Sequence, residues 1–140
     1  MDARNSKEIL LSVKPPFANL IVDGIKTIEL RRKFPEDIRA GTRCLIYSTS
    51  PVQKVIGECR IAEVRRLKLH ELWNESATKA MISWAAFSEY FSGLEYGYAV
   101  TIYAHLRYDE AQDLPTIAGA TAKAPQSYRY LPAGHISTTV

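Results

Sequence analysis

The residues of this sequence with the most chemistry to offer lie in one short stretch, Gly24-Ile25-Lys26-Thr27-Ile28-Glu29-Leu30-Arg31. An ammonium just after a turn, as at Lys26, can hold a phosphate as a point charge or, once desolvated, work as a base. Glu29 and Arg31 are two apart, so on a strand they project from one face. Such a pair either sits on a solvated surface, where it is worth under about 1 kcal/mol, or lines a cleft. In a cleft the carboxylate can accept from a base amino group while the guanidinium forks onto phosphate. Ser48, Thr49 and Ser50, just before Pro51, are hydroxyls at a strand tip that suit a phosphate or base edge; turn chemistry is their ordinary use. Lys14, beside a helix start, can assist an anion together with the positive helix end. Tyr98 and Tyr103 fall on opposite faces of one strand, so at most one is core, and an exposed tyrosine there can stack on a base. The three histidines (His70, His105, His135) have no metal-ligand spacing, and neither a metal nor any other cofactor is expected.

The elements that must position these groups follow from the hydrophobic periodicity. Residues 1–8 read as a flexible lead and Ile9–Val13 as a strand. Pro15 and Pro16 suit the first turn of a helix that Gly24 ends. A strand should run to Arg31, with Ile28 and Leu30 on one face and Glu29 and Arg31 on the other. Arg43–Thr49 and Lys54–Val64 are two further strands, and Gly57 inside the second implies a bulge or a close approach by another backbone. From Leu69 to Gly93 the period becomes helical, with Ser83 as an N-cap; Trp73, Trp84 and Phe87 are expected in the core. Tyr98–Tyr108 alternates as the clearest strand, with Val100, Ile102, Ala104 and Leu106 on one face. Leu114–Ala118 reads as a helical turn, Ser127–Leu131 as an edge strand, and 132–140 as a disordered tail. One domain over 9–131, mostly antiparallel β with helical insertions, is an α+β, barrel-like fold.

Composition narrows the classes. An apolar fraction of 46% with 24% charged residues is that of an ordinary globular chain. The net charge of +3 is too small to argue for nucleic acid by itself, although Arg31, Arg32, Lys33, Arg39 and Arg43 cluster. Cys44 and Cys59 sit in apolar runs and read as buried free thiols of a reducing cytosol. The polar start and the absence of an apolar run of about 20 residues point to a cytoplasmic protein without a membrane span. No helix-turn-helix motif for reading promoters is evident.

The Gly24–Arg31 stretch resembles the G-x-K-x-x-E-x-R hallmark of the ASCH family, within the PUA-like group. Leu11-Ser12-Val13-Lys14-Pro15, Tyr47–Pro51 with Val55–Glu58, Glu95–Ala99 and Pro125–Leu131 resemble further blocks of its bacterial, archaeal and phage-borne members. The resemblance implies a PUA-like β-barrel with flanking helices, whose cleft is lined by the hallmark and holds RNA or a modified nucleotide. It implies that Lys26, Glu29 and Arg31 line the cleft and that Gln126, Ser127 and Tyr128 close over it; with Lys14, Arg32, Ser48, Thr49, Ser50 and Tyr98, read from their own chemistry and position, these are the expected binding residues. Members are often labelled transcription coregulators. The alternative it implies is a small hydrolase of N4-acetylcytidine, or a ribonuclease, using Lys26 and Glu29. The deacetylating members use a threonine where this chain has Glu29, and a glutamate from the later helical region, for which Glu71 and Glu75 are nearest. The sequence leaves the ligand and the oligomeric state open.

Overall fold

A computed structural model describes residues 7–119 and 122–132. His135 and the expected tail from 133 onward lie outside the described residues, as do 1–6 of the expected lead.

Strand β1 (Lys7–Val13) begins two residues before its fully apolar run and leads into helix α1 (Pro15–Val22). Both prolines occupy the first two helical positions, where no intrahelical partner is lost. The helix stops as read from the sequence: Gly24 takes φ +78°, and the Ile25 and Lys26 amides donate to Leu20 O at 2.9 and 3.0 Å. Strands β2 (Ile28–Arg31), β3 (Thr42–Ser48) and β4 (Lys54–Lys68) follow, β4 outrunning its expected end at Val64. Helices α2 (Leu69–Ala80) and α3 (Trp84–Tyr90) come next, the second capped by Ser83 Oγ, which accepts from the Ala86 amide. Strand β5 (Tyr96–Gln112), helix α4 (Leu114–Ala118) and strand β6 (Tyr128–Pro132) complete the order.

The six strands form one sheet in the order β2-β5-β4-β3-β1-β6. Only the β1–β3 pairing is parallel among these strands; the other pairings are antiparallel. The sheet is not closed into a barrel by backbone pairing, because β2 and β6 are its two ends. It nevertheless curls, since Arg31 on β2 reaches the backbone of Ser12 on β1.

Three apolar clusters hold the layers. The inner one gathers Ile9, Leu11, Ile46, Ile61 and Ile102 against Ile21 and Val22 of α1. A second packs Leu10, Leu45 and Leu131 under Leu114 and Ile117 of α4. The third covers Ile28, Leu30 and Ala99 with Leu72 of α2, Phe87 of α3 and Phe91 just after it. Full burial of such a side chain is worth about 1.5–3 kcal/mol. All four residues of β2 are buried, with Ile28 and Leu30 on the face covered by α2 and α3. Phe87 is in this core, but Trp84 is not: it stands 58% exposed at the first turn of α3, stacked on Phe87.

Gly57 does what its position implied. A Cβ there would lie 2.3 Å from Leu106 O and 2.6 Å from Val22 Cγ1, and the β4–β5 register shifts beside it. The expected alternation of β5 fails beyond Tyr103. Ala104 takes a left-handed φ of +53°, which reverses the phase, so Leu106 is exposed. The same reversal turns His105 toward the end of α1, its Nδ1 2.6 Å from Ile21 O. Arg107 then clamps Asp23 through Nε and Nη2 at 2.8 and 3.0 Å. Strand β5 thus fixes the turn from which Lys26 emerges.

Candidate functional site

The gap between β2 and the β1–β6 edge opens as a cleft of about 890 Å³. Its floor is the hallmark stretch. Lys26, Glu29 and Arg31 are 3%, 5% and 8% exposed, so this is no solvated surface pair. Lys26 Nζ donates to Ala80 O at 2.5 Å, lies 3.5 Å from Glu29 Oε1 and sits 5.1 Å over the ring centre of Phe17. The carbonyl belongs to the last residue of α2, where the helix end is electronegative and favours a cation. Arg31 Nη1 donates to Glu29 Oε2 at 2.9 Å and to Ser12 O at 3.2 Å; Nη2 donates to Ser127 Oγ at 2.7 Å. Glu29 is thus shared by two cations, one on each oxygen.

Burial pulls the Lys26 ammonium below its ordinary pKa of 10.5. Glu29 opposes that shift, and the charge of Arg31 adds to it. The phenol of Tyr90, on the opposite wall, is pushed up by burial. Behind the floor, Cys44 faces Cys59 across β3 and β4, both buried and free, as expected. Their mutual hydrogen bond and burial hold the Cys44 thiol well above its usual value.

The other residues read from the sequence divide clearly. Lys14, Arg32, Thr49, Gln126 and Ser127 line the cleft with the hallmark. Arg32 is held there by Tyr90 O at 3.0 Å, and Ser12 Oγ, which donates to Pro125 O at 2.7 Å, ties down the segment that carries Gln126 and Ser127. Ser48 does not reach the cleft: its residue is buried and its Oγ has no partner. Ser50 is an exposed turn residue joined to Pro51 by a cis bond, and likewise stays outside the lining. Tyr98 packs on the inner core with its hydroxyl 3.5 Å from Glu36 Oε2, and Tyr128 packs on Phe34 with ring centres 5.3 Å apart. Tyr103 is exposed, on the other side of β5 from the core.

Neither Glu71 nor Glu75 lies on the cleft. Both are exposed on α2, where Glu75 instead pairs with Arg65 at 2.6 Å. The helical carboxylate that lines it is Glu89 of α3, together with Ile82, Ala86 and Tyr90. The helical period of 84–91 placed Glu89 on the face away from Phe87, but nothing in the sequence said which surface that face would meet. Lys33 and Ser12 are likewise on the lining. Among the described residues, no three His, Cys, Asp or Glu side chains are grouped to hold a metal ion. No helix among them is long and apolar enough to cross a membrane.

Comparison with known proteins identifies the family and the fold. An ASCH-domain ribonuclease of Zymomonas mobilis is 33% identical over 132 residues, covering 93% of this chain and 88% of the relative. The crystal structure of ASCH from the same organism superposes with a TM-score of 0.85 at 30% identity, over 96% of this chain and 92% of the other. A protein of Leishmania major described as hypothetical shares the fold alone, with a TM-score of 0.59 at 13% identity over 96% and 92% of the two chains. The family model for the ASCH domain matches residues 11–114, which run from the strand supplying Ser12 through the hallmark to the start of α4. With the hallmark on the floor of the cleft and the family pattern spanning most of the fold, this chain belongs to the ASCH-domain family.

Proposed function

We propose that the cleft binds single-stranded RNA and cleaves it at the Lys26–Glu29–Arg31 floor. The observation that carries this reading is the buried triad itself, in which one carboxylate is shared by two cations beneath a lining rich in Lys14, Arg32 and Lys33. The wall cations offer contacts to phosphate, which would make binding fall steeply with salt. The name of the Zymomonas relative, a ribonuclease, supports the same reading.

The chemistry is a transesterification. Glu29 takes the proton of a ribose 2′-hydroxyl, the 2′-oxygen attacks phosphorus, and the bond to the 5′-oxygen breaks. Lys26 gives its proton to that leaving oxygen, a step that its lowered pKa favours. Arg31 stabilises the charge that builds on the phosphoryl oxygens. The products are a 2′,3′-cyclic phosphate and a 5′-hydroxyl. A regulatory role in transcription or translation would rest on the binding alone.

A second reading has one observation in its favour. The lowered pKa of Lys26 also suits a base, as hydrolysis of an acetylated cytidine requires. Incubating the protein with a mixed-sequence RNA pool and, separately, with N4-acetylcytidine, with products followed by mass, separates the two. Cyclic-phosphate ends that vanish in Lys26→Met and Glu29→Gln support the first reading. Release of acetate from the nucleoside without RNA cleavage would replace it by the second. RNA retention with no product in either reaction would reduce the site to a binding cleft.

A further inference from the structure

The lining of the cleft contains one charge that does not fit a site for a polyanion. Lys14, Lys26, Arg31, Arg32 and Lys33 are cationic, and Glu29 is neutralised by its two cations. Glu89 is different: it is exposed on the lining, and its carboxylate has no hydrogen-bond or ion-pair partner among the described residues. The neighbouring Arg32 bonds to the backbone oxygen of Tyr90 and not to the Glu89 carboxylate. Glu89 also stands in the last turn of α3, where the negative end of the helix dipole disfavours an anion. An acidic side chain there is locally unfavourable twice over, and such violations of local rules concentrate at functional positions.

From this arrangement we infer that Glu89 reads the base edge of the bound RNA and selects guanine. A carboxylate repels phosphate, so it turns the backbone toward Lys14, Arg32 and Lys33 and the base toward α3. Its two oxygens accept in parallel, and guanine alone among the four bases presents two adjacent donors, N1–H and N2–H, to match them. Adenine, cytosine and uracil offer one suitable donor each beside an acceptor that would face the second oxygen. A well-made bidentate contact discriminates by about tenfold or more. This inference rests on the RNA reading given above and deepens it by naming the base.

The test uses labelled hexamers of uridine carrying a single central G, A or C, and the all-U hexamer, titrated into the wild type and Glu89→Gln at fixed low salt. The expected result is a preference for the G-containing hexamer of about tenfold or more in the wild type. In Glu89→Gln that preference should collapse to about twofold, while affinity for the all-U hexamer holds or rises, because an anion has left the cleft. The variant should melt no lower than the wild type, since it removes an anion from a helix C-terminus. Equal affinities for all hexamers in the wild type, or an unchanged G preference in the variant, overturn the assignment to Glu89 and leave the RNA reading standing. Failure of the wild type to bind any hexamer overturns both.

Discussion

Arg31 Nη2 lies 2.7 Å from Ser127 Oγ, although the two residues are 96 positions apart, Arg31 on β2 at one end of the sheet order and Ser127 just before β6 at the other. This bond and that of Arg31 to Ser12 O close by side chain the seam that backbone pairing leaves open. The cleft exists because this seam does.

Replacing Ser127 by alanine removes that hydroxyl while leaving Arg31 its bonds to Glu29 and Ser12. A hydrogen bond to a charged group contributes about 1.5–3 kcal/mol, and partial exposure puts this one near the lower end. Urea denaturation should therefore show a loss of about 1–2 kcal/mol. RNA affinity should drop as well, because the segment carrying Gln126 loosens. Unchanged stability would show that the seam is held by other contacts.

Lys26 and Glu29 should respond very differently to removal. Glu29→Ala leaves two buried cations facing each other with no anion between them, a change that costs about 3 kcal/mol or more. Lys26→Met removes an ammonium that burial already disfavours and leaves Glu29 paired with Arg31. Its cost should be smaller than that of Glu29→Ala, since burial already disfavours the ammonium and Arg31 keeps the Glu29 carboxylate paired. Comparing the two urea midpoints checks this, and equal losses would mean that Glu29 is not the hub of the site.

Gly57 tolerates no side chain. The atom nearest to a new Cβ is a backbone oxygen, Leu106 O, which cannot swing away as a side chain can. Gly57→Ala should cost about 1–3 kcal/mol by overpacking. Thermal denaturation checks this, and a variant as stable as the wild type would mean that β4 and β5 shift apart freely.

Glu58 supplies a pH dependence remote from the cleft. Burial alone would raise its pKa, but hydrogen bonds from Arg43 at 2.6 Å and Tyr108 at 2.8 Å outweigh that and hold it below the ordinary 4.5. The folded state therefore binds this proton more weakly than the unfolded chain does. The stabilisation is fully present above about pH 4.5 and is lost as pH falls through the lower folded value. Urea midpoints measured from pH 6 to pH 3 should fall less steeply in Glu58→Gln than in the wild type, and parallel slopes would remove Glu58 from the acid response.

The sequence by itself determined the helix-to-strand turn that carries Lys26, Glu29 and Arg31, and most of the elements. The helix stop at Gly24, the i, i+3, i+5 spacing of Lys26, Glu29 and Arg31, the Ser83 cap and the close approach at Gly57 are legible because each follows from backbone sterics or periodicity over a few neighbouring residues. What only the tertiary structure decided is what meets that floor. The partners of the floor residues, Ser12, Ala80 and Ser127, are chosen by how the sheet curls and where α2 ends, and no local pattern records either. The same holds for Glu89, which replaces Glu71 and Glu75 on the lining because α3, not α2, flanks the open seam. Ser48 and Tyr98 show the converse: their types suited a ligand, but their strands run through the packed interior, and burial is set by all the layers together. At Ala104 a single left-handed residue reverses the alternation of a strand and brings His105 and Arg107 onto the end of α1, a turn of phase invisible in a period of two.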